Sequence, residues 1–144
     1  MVLHLQKLSV GSESIQSLQE WQQSVVARRK EQGQPPHHVH VTRMFPKRRE
    51  ELLDGGSIFW VIKGMMCCRN QIIGLEDTRN AEGLKACAIV MDPVLIPVVP
   101  TPKRPFQGWR YLRATDAPVD LKDIEGADSL PPELRTRLVE LGAW

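Results

Sequence analysis

The sequence predicts an α+β protein built on a mixed, strongly bent β-sheet, or a β-barrel, with flanking helices. Three observations carry this. Only one long stretch has helical apolar spacing, and it lies near the N-terminus. From residue 37 onward the apolar residues recur mostly at strand spacing. One strand, one long helix and then mostly strands is an α+β order; a doubly wound α/β fold would alternate the two. The 144 residues match one ordinary domain, 1–144.

Leu3, Leu5 and Leu8 mark a first strand, and Ser12 or Ser14 can cap the helix that follows. Ile15, Leu18, Trp21, Val25 and Val26 form its apolar stripe. Arg28, Arg29 and Lys30 suit the negative end of its dipole, and Gly33 with Pro35-Pro36 stops it. His37 to Met44 alternates, with Val39 and Val41 on one face and His38, His40 and Thr42 on the other. Pro46 can open a short helix through Leu53, broken by Asp54-Gly55-Gly56. Ser57 to Lys63 is apolar on both faces and rich in β-branched and aromatic residues, the pattern of a central strand covered on both sides. Ile72–Glu76 and Leu84–Met91 read as strands, with a turn at Asn80–Gly83. Leu95–Val99, flanked by Pro97 and Pro100, is at best an edge strand, and Phe106–Leu112 is a short aromatic segment. The acidic extension 114–144 is partly irregular, with a last helix opened by Pro131-Pro132 and striped by Leu134, Leu138 and Leu141.

Charge is unevenly placed. Residues 1–42 carry net +1, residues 43–113 net +5 and residues 114–144 net −4. A basic middle suits an anionic partner, unless the acidic tail folds back and neutralises it. The opening Met-Val-Leu-His-Leu-Gln-Lys lacks a leader's apolar core, and no run of 18 apolar residues suggests a membrane span. Cys67, Cys68 and Cys87 include no C-x-x-C and read as reduced thiols. A cytoplasmic location, no membrane contact and no cofactor are expected.

Two basic segments interleave cations with aromatic rings: Thr42 to Arg49 and Lys103 to Arg113. Cations neutralise phosphates while aromatic faces stack on unpaired bases, so this pairing suits nucleic acid. The plainer reading makes Lys47-Arg48-Arg49-Glu50-Glu51 a solvated helix and Trp109 and Tyr111 core rings. His38 and His40 share a strand face, which two metal ligands could use, but no partner pair stands at finger spacing. A polar, solvent-facing strand edge is the plainer reading, and no metal is expected. Lys63 and Arg69 flank Met65-Met66-Cys67-Cys68 and could lower a thiol pKa. Phosphate-loop, dinucleotide-fold, nucleophile-elbow and zinc-protease motifs are missing from the chain.

His40 to Arg48, Leu52 to Gly64 and Arg104 to Leu112 resemble the alphaproteobacterial domain-of-unknown-function family 1489 over nearly the whole chain. That resemblance implies no activity. At the level of fold, the short helix, Gly turn and strand of Lys47–Lys63 are similar to small PUA/ASCH/EVE-like β-barrels. That similarity implies an RNA or modified-base partner and a cleft near the helix-to-strand turn.

The expectation is therefore a nucleic-acid-binding module with RNA or another phosphate-bearing ligand as partner. Arg43, Lys47, Arg48, Lys63, Arg69, Lys103, Arg104 and Arg110 would hold phosphate, and Phe45 or Trp109 would stack on a base. Two other readings are a small hydrolase acting on RNA or a nucleotide, and a protein-interaction domain using the acidic tail.

Overall fold

In the computed structural model, residues 2–123 are described. The last helix expected from Pro131 and most of the acidic extension lie outside them. Strand β1 (Leu3–Leu8) leads through a turn to helix α1 (Ile15–Glu31). Ser14 and Ser17 start that helix by bonding reciprocally, each hydroxyl accepting the other's backbone N–H at 3.0–3.1 Å. The apolar stripe is rotated from its expected place. Ile15, Leu18 and Gln22 are buried, whereas Trp21 is 56% exposed under the Arg28 guanidinium. Gln22 goes inward because Asn70 satisfies it, their amides bonding both ways at 2.9 and 3.0 Å. Trp60 donates its indole N–H to the same Asn70 oxygen.

Strand β2 (His38–Thr42) follows, then a loop and the short helix α2 (Arg49–Leu53). Helix α2 starts three residues after the expected Pro46. The amides of Lys47 and Arg48 are drawn instead to the Tyr111 hydroxyl. Strand β3 (Ser57–Ile62) is buried at every position, as its two-faced apolar pattern predicts. Ile58, Trp60 and Ile62 join one hydrophobic cluster, while Phe59 and Val61 join a second on the opposite face.

Lys63 and Gly64, at φ 50° and 77°, make a two-residue turn into β4 (Met65–Arg79). This strand absorbs the expected Ile72–Glu76 and begins seven residues earlier. Register shifts at two points bend it, the first in its pairing with both β3 and β6. Cys67 is the extra residue opposite Trp60 and Val61, and Ile73 is extra opposite β5 (Lys85–Met91). The first half of β4 pairs with β3 and β6 (Ile96–Pro102), the second half with β5. Proline-rich β6 is longer than the expected Leu95–Val99. Strand β7 (Trp109–Arg113) gives the aromatic segment its regular structure.

The sheet runs β2-β5-β4-β3-β1-β7, with β6 also beside β4. Strand β1 is parallel to β3, and the other pairings are antiparallel, so the sheet is mixed. It is not closed into a barrel, because β2 and β7 form its two ends and do not pair. Beyond β7 the chain turns back along β6, where Val99 donates to the Val119 carbonyl at 3.0 Å. No helix of the described residues is long and apolar enough to cross a membrane.

Candidate functional site

The seam between β2 and β7 is where the two basic, aromatic segments meet. Strand β5 decides which way β2 faces. Its Cys87, Ile89 and Met91 are fully buried, and they pair with Thr42, His40 and His38. Cross-strand partners share a face, so the histidines turn inward and Val39 and Val41 turn outward. The solvent-facing histidine edge read from the sequence is therefore reversed. His40 meets the Trp60 ring edge-on at 5.6 Å, and His38 is only 3% exposed. Burial pushes both imidazoles down to about 4, helped at His40 by the charges of Lys7 and His38. Both are neutral at pH 7.

Strand β7 supplies the other wall. Trp109 and Tyr111 stand two residues apart, so they share a face, and their rings meet edge-on at 4.9 Å. The Trp109 indole N–H donates to the Met44 carbonyl at 2.8 Å. The Tyr111 hydroxyl accepts the Lys47 and Arg48 amides at 3.0 and 3.2 Å. Arg48 lies over the Tyr111 ring and pairs with Glu51. Two aromatic side chains thus tie the 43–48 loop to β7 where no strand ladder does.

Between these walls lies a cleft of about 770 Å³, lined by Lys7 from β1, His40 to Met44, and Gln107 to Trp109. A second recess of about 280 Å³ shares Lys7 and His40 with it and extends toward Trp21, His38 and Trp60. Among the described residues, no Asp or Glu lines either recess. Burial lowers the Lys7 pKa, and among the described residues Lys7 has no ion-pair partner.

The sequence-predicted residues separate into groups. Arg43 and Trp109 line the cleft, and Lys47 and Arg48 stand on the loop beside it. Phe45 is half-buried against the core with the Arg49 guanidinium over its ring. Arg110 is on the opposite face of β7 from Trp109, stacked 5.0 Å from the Phe106 ring that packs on the second cluster. Lys63 and Lys103 meet at the β3–β4 turn, where the Lys103 amide donates to the Gly64 carbonyl; neither they nor Arg104 line the cleft. Arg69 is occupied, holding Asp120 through two 2.8 Å bonds and donating to the Ser57 hydroxyl. The first part of the acidic tail thus pairs with two cations of the basic middle, Arg69 through Asp120 and Arg113 through Asp116. The cleft also stands ahead of α2, not at the expected helix-to-strand turn. There Gly56 packs so tightly that a Cβ would sit 2.2 Å from the Leu3 carbonyl oxygen.

Sequence reasoning missed Lys7 and the inward course of His40. Lys7 continues the alternation of Leu3 and Leu5, a signal that it faces the cleft side of β1. The thiols are free and buried, and burial raises Cys68 and moves Cys87 up to about 11, opposite to a reactive thiolate. Among the described residues, no group of three or more His, Cys, Asp or Glu could hold a metal ion.

The family model described as "Protein of unknown function (DUF1489)" matches residues 5–144. No curated protein and no solved structure matches the chain.

Proposed function

The chain belongs to the DUF1489 family, whose description names no activity, and we propose from the cleft itself that it binds single-stranded nucleic acid, RNA in the first place. The supporting observation is the junction of the two segments. Met44, Lys47 and Arg48 are hydrogen-bonded to Trp109 and Tyr111 around a cleft that holds Lys7, Arg43 and an indole and, among the described residues, no carboxylate. A strand entering there would place phosphates against Arg43, Lys47 and Lys7 and a base against Trp109. Duplex would fit less well, because its bases are not free to stack on a ring. A cytoplasmic location belongs to this reading, since three buried free thiols suit a reducing compartment.

Fluorescence anisotropy with a labelled single-stranded RNA, titrated over a range of salt, tests the proposal. Log K should fall linearly with log salt, and Arg43→Ala should make the slope shallower by about one. Arg110→Ala, on the far face of β7, should change neither. Salt-independent affinity, or equal loss from both variants, would refute the assignment of the cleft.

A further inference from the structure

We propose that the outer face of β2, β5 and the second half of β4 is the interface of a twofold dimer, covered by the same face of a second copy of this chain. The face lies on the side of β2 away from His38 and His40, and it does not depend on what the cleft binds.

The sequence of β5 comes first. Ala86 to Met91 is apolar at every position, the run of a strand covered on both faces. Cys87, Ile89 and Met91 fill the main core, and Ala88 and Val90 face the other way. Val90 pairs with Val39 and Gly74, and Ala88 with Val41 and Glu76, so these residues share one face. Ile73, the extra residue of the bulge, adds to it. Strand β3 has the same two-faced run, and there the second face carries the second cluster. Over β5 the described residues leave a groove of about 390 Å³ instead. Val41 and Ile73 at its sides are 45% and 42% exposed, where a solvent-facing sheet would place polar residues.

Charge names the occupant. Arg29 and His37 stand at one end of the groove, Glu76 and Asp77 at the other. Arg29 donates its Nε–H to the Pro35 carbonyl, and neither it nor the two carboxylates has an ion-pair partner among the described residues. The ends are about four residues apart along β2, roughly 13 Å. Two copies of one sheet can meet face to face about a twofold axis in two ways. With the strands of the copies antiparallel, Arg29 of each lies over Glu76 of the other. With them parallel, each end meets its own charge. The first arrangement is favoured, and it makes the same cation–carboxylate junction twice. The chain's own acidic tail is a poorer cover, because residues 114–144 carry net −4 and would bring like charge to Glu76 and Asp77. Three short strands make a small face beside the ~800 Å² per partner of standard interfaces, so the dimer forms in the micromolar range.

The test is sedimentation velocity of the full chain from about 1 to about 200 µM. The wild type should pass from monomer to dimer within that range. Ile73→Asp should keep a Tm near the wild type's, since that side chain is exposed. It should weaken the dimer about tenfold or more by setting a carboxylate against the partner's apolar face. Arg29→Glu and Glu76→Arg should each weaken it about fivefold or more, because symmetry puts two like-charge junctions in every dimer. Mixed in equal amounts, these two variants should pair about as tightly as the wild type, because both junctions then join opposite charges. A chain that stays monomeric at about 200 µM overturns the proposal. So does a dimer that Ile73→Asp leaves intact, or a mixture of the charge variants that does not pair. A monomer that loses Tm in Ile73→Asp would give the face to the chain's own acidic tail.

Discussion

His38 and His40 are the residues whose chemistry departs furthest from what their letters suggest. Burial pushes both from 6.5 down to about 4. The unfolded chain would therefore take up protons that the folded chain excludes within that interval. Their contribution is fully present above pH about 6.5 and is lost as pH falls toward about 4. A tenfold difference in proton affinity between the folded and unfolded chain is worth at most about 1.4 kcal/mol, and less at His40, which keeps some solvent. Urea unfolding across this range should show stability falling with acid in the wild type and a flatter profile in His38→Leu; parallel profiles would contradict the assignment. The alternation of β2 was legible in the sequence, but its direction was not. Val39 and Val41 look like the inward set until Ile89 and Met91 on β5 fix the face, and that pairing joins residues about fifty apart.

At the scale of elements, tight local patterns were legible and those set by distant partners were not. The capped start of α1, the buried β3 and the Asn80–Gly83 turn follow from neighbouring residues alone. The late start of α2 follows from Tyr111, more than sixty positions away. Tyr111→Phe should cost about 1 kcal/mol by removing the acceptor for two amides. It should also weaken RNA binding by loosening the loop that carries Arg43. Unchanged affinity would show that the loop holds its place without the phenol. The β3–β4 turn gives a second prediction. Lys63 sits at φ 50°, a conformation that Asn adopts more readily. Lys63→Asn should raise stability by up to about 1 kcal/mol. RNA binding should not change, because Lys63 is not at the cleft; a clear loss of affinity would return that lysine to the site.

At the scale of the whole molecule, the described part of the acidic tail meets the basic middle twice, at the exposed Arg113–Asp116 pair and more firmly at Arg69. Asp120 grips Arg69 with both carboxylate oxygens, and the guanidinium draws its pKa down through those bonds. Val98 and Asp120 form a bridge beside it. Asp120→Ala should cost about 1.5–3 kcal/mol, the range for hydrogen bonds to charged groups, and it should remove part of the acid sensitivity. That part appears as pH falls through the carboxylate's lowered range, below the interval of the histidines. A variant as stable as the wild type would make the pair a surface contact of little weight. The uneven charge was plain in the sequence. Which cations were free was not, since Arg69 and Arg43 look alike until one is found holding an aspartate.

The open sheet leaves β2 and β7 as its two unpaired ends, and residues of both line the cleft. Three hydrogen bonds at two rings of β7 tie that strand to the 44–48 loop that follows β2. A ladder of backbone bonds would set the gap at one fixed strand spacing. Here the gap is set by the reach of a tryptophan and a tyrosine, so a single substitution on β7 can widen or narrow it while the rest of the sheet keeps its pairing.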